Sequence, residues 1–249
     1  MKTLVSGKRI HTGVRNLDEI LTGGIPTGEL IVLAGSPGSG KTILSQQIIF
    51  ENATTENPAV IFQTLSEPTA KTLRHLKQFA FFDQKKIDDG SISFVDLGEI
   101  VRSKGLEQAI ELFMSHVKKI KPSFVVIDSF KVFEDLANSR EELRKFSYEM
   151  VINLMAWECT AFFLGEFSQK DIETNPLFSI IDGIVTLQIR FESGEHQRFL
   201  QVMKMRGTNH SRDLHSFEIN PQGIEVYSPR VTIQRDPSAD KMMPGNGPY

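Results

Sequence analysis

Gly35-Ser36-Pro37-Gly38-Ser39-Gly40-Lys41-Thr42 decides the fold of this chain. It fits the pattern G-x-x-x-x-G-K-[ST], a phosphate-binding loop, and it stands in the context that the pattern needs. Glu29-Leu30-Ile31-Val32-Leu33-Ala34 before it reads as a buried strand, and Ile43-Leu44-Ser45-Gln46-Gln47-Ile48-Ile49-Phe50 after it reads as a helix. The glycines let the backbone turn tightly and aim its N–H groups at phosphate oxygens. The helix start adds a partial positive charge. Ser36, Gly38, Ser39, Gly40, Lys41, Thr42 and Ile43 are therefore the candidate nucleotide-binding residues. Lys41 is expected to reach the β- and γ-phosphates, and the Thr42 hydroxyl to bind Mg²⁺.

Outward from the loop, strand candidates recur at Ile31–Ala34, Val60–Thr64, Ile92–Val95, Phe124–Asp128, Ala161–Gly165 and Ile184–Arg190. Several are continuous apolar runs, which suits strands covered on both faces. Helical patterns fall between them. Leu106, Ile110, Phe113, Val117 and Ile120 share one helix face, and Leu143, Phe146, Met150, Leu154 and Trp157 share another. Ser139-Arg140-Glu141-Glu142 has the form of a capping box at the start of the second helix. Strands alternating with helices predict a mostly parallel sheet with right-handed crossovers. After Asp182 the pattern changes to Ile184–Arg190, Arg198–Arg206, Ser216–Ile219 and Ile224–Tyr227 in close succession. Turn residues at Glu192–Glu195 and Asn220–Gly223 make this an antiparallel extension of the parallel core. Residues 1–10 read as a flexible lead, 11–227 as one α/β domain, and the Pro- and Gly-rich 228–249 as a disordered tail.

With 249 residues, 40% hydrophobic and 24% charged, the composition is that of a globular protein. A net charge of −3 supplies no global basic field for nucleic acid. The single cysteine, Cys159, sits among apolar neighbours and reads as a small core residue. No signal peptide and no membrane-length apolar run is visible, so a reducing cytoplasm is the expected compartment.

Three further places carry candidate chemistry. Phe124-Val125-Val126-Ile127-Asp128 is an apolar strand ending in a carboxylate, which suits the Walker B role of holding the Mg²⁺ water shell. Ser129 follows it. Glu67 ends the stretch Val60-Ile61-Phe62-Gln63-Thr64-Leu65-Ser66-Glu67-Pro68, at a strand edge where ligands bind in such sheets. It could polarise the attacking water, or it could sit in the first turn of a helix capped by Ser66. Both roles can coexist. Lys204 and Arg206 are two apart and project together from a strand end, either as a clamp on phosphate or as an exposed basic end.

Taken together these elements resemble the KaiC-like branch of the RecA superfamily. The resemblance begins at Thr12-Gly13, Leu17-Asp18-Glu19 and Gly23-Gly24-Ile25-Pro26-Thr27-Gly28, and runs into the P-loop. It continues through Leu65-Ser66-Glu67, Val126-Ile127-Asp128-Ser129 and Asp182-Gly183-Ile184, and closes with Lys204-Met205-Arg206-Gly207-Thr208-Asn209-His210. It implies a RecA-like ATPase ring, usually a hexamer, with ATP and Mg²⁺ between subunits. Lys41, Thr42 and Asp128 would act within their own subunit. Lys204 and Arg206 would reach the neighbour's γ-phosphate, and His210 would contact the neighbour's nucleotide. Glu67 would be the catalytic base, although many members carry two glutamates where this chain has Ser66-Glu67. Clock-type members have two fused domains and this chain has one. The Ser-Thr pair of autophosphorylating domains is replaced by Phe178-Ser179.

The function expected on this basis is ATP hydrolysis in a homo-oligomer that signals to an unidentified protein partner. One alternative is a DNA-binding recombination module. The loop from Ser168 to Ile180 is not basic and Ser129 to Lys145 mixes both signs, so the electrostatic footprint of nucleic-acid binding is missing. The other is a nucleotide-gated interaction module with negligible turnover, which shares nearly all the same residues.

Overall fold

The computed structural model describes residues 8–64, 69–192 and 194–227. The candidate base Glu67, the first seven residues of the expected lead and the expected tail 228–249 lie outside the described residues.

The elements run in the order β1 (Arg9–Ile10), α1 (Leu17–Ile20), β2 (Ile25–Pro26), β3 (Leu30–Gly35), α2 (Lys41–Asn52), β4 (Ala59–Gln63), α3 (Thr69–Leu76), α4 (Lys85–Asp88), β5 (Ile92–Asp96), α5 (Gly98–Lys104) and α6 (Leu106–Ile120). They continue with β6 (Phe124–Asp128), α7 (Lys131–Leu136), α8 (Arg140–Ala156), β7 (Thr160–Gly165), α9 (Gln169–Thr174), α10 (Pro176–Ile180), β8 (Gly183–Glu192), β9 (Glu195–Met205), β10 (His215–Asn220) and β11 (Gly223–Val226). Among the described residues, nine strands form one sheet in the order β11-β10-β9-β8-β3-β7-β6-β4-β5. From β8 to β5 every pairing is parallel, and β9, β10 and β11 join antiparallel. The α/β class, the parallel core and the antiparallel extension are those expected from the sequence.

The continuous apolar runs bury both faces of the sheet. In β3 the side chains alternate: Ile31 and Leu33 join a core under α2 with Leu44, Ile48 and Ile49. Leu30, Val32 and Ala34 join a second core on the other face, with Phe113 and Val117 of α6 and Met150 and Leu154 of α8. That two-residue alternation inside an unbroken apolar run is what a central parallel strand requires. Phe62 and Phe113 meet at 4.6 Å between ring centroids, locking β4 to α6. The chain leaves β3 through the P-loop and α2 and returns at β4, with β7 and β6 lying between the two in the sheet. This places the carboxyl ends of β3, β7, β6 and β4 along one crevice, the usual ligand edge of such a sheet.

Two local expectations differ from the structure. Arg9–Ile10, assigned to the flexible lead, pair with Ile25–Pro26. Ser139 does cap α8 by accepting the Glu142 N–H at 3.0 Å. The reciprocal bond is absent, because the Glu142 carboxylate takes the Asn138 N–H at 2.7 Å instead. A complete capping box stands at α9, between Ser168 and Asp171. Among the described residues no helix is long and apolar enough to cross a membrane.

Candidate nucleotide site

The loop between β3 and α2 is shaped by what glycine omits. A Cβ on Gly35 would lie 2.2 Å from the Leu187 carbonyl oxygen and 2.7 Å from Ser39 Oγ. Gly40 takes φ 102° at the start of α2, a left-handed conformation that strains any other residue. Leu44 N–H finds the Gly40 carbonyl at 2.9 Å. The N–H groups of Lys41, Thr42 and Ile43 precede that first helical bond and belong to the helix's open amino end. Ser39 is fully buried, and its Oγ has no hydrogen-bond partner. An orphaned polar atom beside the open N–H groups of Lys41, Thr42 and Ile43 is a setting that an oxygen-rich anion would complete.

Lys41 Nζ folds over the loop and donates to the carbonyls of Gly35 at 2.8 Å and Ser36 at 3.0 Å. Burial holds its pKa below the ordinary lysine value, while Glu166 and Asp128 pull it back up. Thr42 Oγ1 donates to Asp128 Oδ2 at 2.7 Å. The hydroxyl and the carboxylate therefore meet across the crevice from α2 and the end of β6. Among the described residues no group of three or more His, Cys, Asp or Glu could hold a metal ion. Thr42 and Asp128 fit Mg²⁺ of the kind carried by nucleotide phosphates, which needs only one or two protein ligands.

Ser129 is committed elsewhere: its N–H donates to Thr64 Oγ1 at 2.9 Å, and its Oγ accepts the Lys131 N–H at 3.2 Å. The first of these bonds ties the end of β4 to the end of β6. Sequence reasoning passed over Glu166. It follows β7, the strand between β3 and β6, and acts electrostatically on Lys41. The signal was present, an apolar strand ending in a carboxylate, in the same form that singled out Asp128.

Lys204 and Arg206 lie at the other end of the sheet. Met205 pairs with Gly183, and Gly183 pairs with Ile31 at the start of β3. Lys204 Nζ donates to the Ile181 carbonyl at 2.6 Å, and Arg206 Nη1 to Asp182 Oδ1 at 2.8 Å. Asp182 N–H in turn donates to Leu30 O, whereas Lys41 Nζ binds Gly35 O. The cations thus sit at opposite ends of β3, and six strand residues at roughly 3.3 Å each separate them by about 17–20 Å. Lys204, Arg206, His210, Arg212 and Gln201 line an open concavity of about 520 Å³. His210 Nδ1 lies 2.9 Å from the Ser211 carbonyl oxygen. Burial and the Arg206 charge lower the Lys204 pKa. Arg9 pins the turn after Arg206, donating to Thr208 Oγ1 at 3.1 Å and to the Gly24 carbonyl at 2.8 Å.

A parallel sheet with a Gly-rich loop after β3, a Thr–Asp pair beside it and an antiparallel extension define a RecA-like P-loop nucleotide-binding protein. The family described as ATPase: KaiC matches residues 10–231, and the chain belongs to that family. The UPF0273 protein of Pyrococcus furiosus is 30% identical over 239 residues, covering 90% of this chain and 96% of the relative. Circadian clock oscillator protein KaiC 1 of Synechocystis is 25% identical and aligns with 88% of this chain but only 44% of its own length. The crystal structure of a KaiC-like protein from Pyrococcus horikoshii superposes with a TM-score of 0.77 at 26% identity, covering 89% of this chain and 99% of that one.

Proposed function

We propose that this protein is a Mg²⁺-dependent ATPase that works as a homo-oligomeric ring of six subunits, with ATP at each interface, and that signals through a protein partner. The observation that carries this reading is the separation of Lys204 and Arg206 from the P-loop of the same chain by the length of β3. Two cations at the far sheet end, facing an open concavity, have no phosphate of their own to meet. A second copy docking its crevice there would supply one.

Within one subunit, Lys41 and the N–H groups from Gly38 to Ile43 hold the phosphates. Thr42 and Asp128 would hold the cation, Asp128 through its water shell. Mg²⁺, when bound, would supply positive charge against that which develops on the phosphates in transfer. Glu67 orients or deprotonates the attacking water. From the neighbour, Lys204 and Arg206 face the γ-phosphate and stabilise its charge, and His210 contacts the nucleotide. The chemistry is positioning and electrostatics rather than covalent catalysis.

Light scattering with and without Mg-ATP, run beside phosphate release, tests this. The expected result is an ATP-dependent ring whose phosphate release is lost in Arg206→Ala. Lys41→Ala abolishes nucleotide binding, and Glu67→Gln spares binding while slowing turnover. A protein that stays monomeric with Mg-ATP, or an Arg206→Ala variant at the parent rate, would refute the reading. Parent-rate hydrolysis by Glu67→Gln would remove the base assignment alone.

A further inference from the structure

The far sheet end holds more than two cations. Asp182 is buried, 8% exposed, and is bonded on every side. Its carbonyl accepts the Arg206 N–H at 3.0 Å, and its own N–H donates to Leu30 O at 2.9 Å. Its Oδ2 accepts the Leu30 N–H at 3.1 Å, and its Oδ1 accepts Arg206 Nη1 at 2.8 Å. Glu29, the residue before β3, is hydrogen-bonded to the same carboxylate. The Asp182 carboxylate beside it disfavours the ionised form of Glu29. Burial, and the Asp182 charge after it, push Glu29 up to about 7, with Arg206 pulling the other way.

The guanidinium is held by one edge only. Among the described residues Nε and Nη2 of Arg206 have no hydrogen-bond partner, and its side chain is 53% exposed. An arginine fork clamped on one side can present its other donors to a phosphate with less freedom left to lose.

We propose that Asp182 and Glu29 are positioning residues for Arg206: Asp182 fixes the guanidinium so that its free edge meets a neighbouring subunit's terminal phosphate, and Glu29 sets the charge behind it. This rests on the interface reading above. The charged groups facing the pair are Arg206 and Lys204, both from the end of β9. On the other side of β3 the start of β7 offers neutral partners, Thr160 Oγ1 to the Gly28 N–H and the Ala161 N–H to the Glu29 carbonyl. Arg9 is engaged beyond, on the turn at Gly207 and Thr208. With Glu29 protonated, one negative charge stands against two positive ones, and the cluster attracts phosphate. Ionising Glu29 brings the cluster to neutrality and weakens that attraction.

Steady-state phosphate release by full-length parent, Arg206→Ala, Asp182→Asn and Glu29→Gln is followed from pH 6 to 9, with ring assembly checked by mass. Asp182→Asn keeps an oxygen for the Leu30 N–H but removes the charge that holds Arg206. It is expected to lower kcat about tenfold with KM within about twofold, the signature of an interaction made in the transition state. The parent is expected to lose activity as pH rises through about 7, and Glu29→Gln to lose that dependence. If Asp182→Asn fails to assemble, the Glu29→Gln profile decides by itself. Parent-like kcat in Asp182→Asn and an unchanged profile in Glu29→Gln, with Arg206→Ala inactive, would overturn the positioning role and leave the interface reading standing. Parent-rate hydrolysis by Arg206→Ala would overturn the interface reading itself.

Discussion

Replacing Glu29 by glutamine tests the carboxylate pair without any nucleotide. In the folded chain the Glu29 pKa is raised from its ordinary 4.5 to about 7, first by burial and then by Asp182. Between those two values the folded state binds a proton that the unfolded state has released. Stability therefore falls as pH rises, and the contribution present below about 4.5 is fully lost above about 7. The interval from 4.5 to about 7, at about 1.4 kcal/mol for each pH unit, sets a ceiling of about 3 kcal/mol. Glu29 is only half-buried, and solvent screening reduces this to about 1 kcal/mol. Glutamine keeps the donor to Asp182 and carries no charge at any pH. Urea unfolding of the nucleotide-free protein should find Glu29→Gln more stable than the parent by about 1 kcal/mol at pH 8.5, and the gap should close by pH 5. A difference that is the same at both pH values would refute the raised Glu29 pKa.

Gly35→Ala drives a methyl group to 2.2 Å from the Leu187 carbonyl; the shifted backbone should cost about 1–3 kcal/mol by thermal unfolding and abolish nucleotide binding by titration. Ser139→Ala removes the acceptor for the Glu142 N–H and should lower stability by about 1 kcal/mol, read as a lower urea midpoint with unchanged slope. Thr42→Val deletes the hydroxyl paired with Asp128; ATP affinity should fall about tenfold with Mg²⁺ present and stay level in EDTA. Phe113→Ala opens a cavity beside Phe62 at the fully buried contact of α6 with β4 and should cost about 3–5 kcal/mol in urea unfolding.

Much of the architecture was legible because the governing signals are local. Leu30 to Gly35 is apolar at every position before the loop, so it reads as a strand buried on both faces, and the structure puts it in mid-sheet. The Thr42–Asp128 contact followed from a strand-end carboxylate placed beside a P-loop. Arg9–Ile10 escaped because a two-residue strand has no periodicity to read. Ser139–Glu142 has the capping-box letters, yet the glutamate chose Asn138, a competition between neighbouring N–H groups that spacing cannot rank. The bond from Arg206 to Asp182 joins residues 24 apart through the register of the β8–β9 pair, bulge included. Glu29 reads from sequence as the start of a strand, and its partnership with Asp182 depends on β8 lying beside β3, which pairing reveals and composition does not.

The central claim is that one subunit's Arg206 completes another subunit's P-loop, and mixing two inactive variants tests it most directly. Lys41→Ala keeps Arg206 but cannot hold nucleotide, and Arg206→Ala keeps the P-loop but lacks the arginine. Combined one to one in Mg-ATP, random rings should place a sound P-loop against a sound arginine at about one interface in four and recover about a quarter of the parent phosphate release. Rings that assemble from both variants and release no phosphate would contradict it.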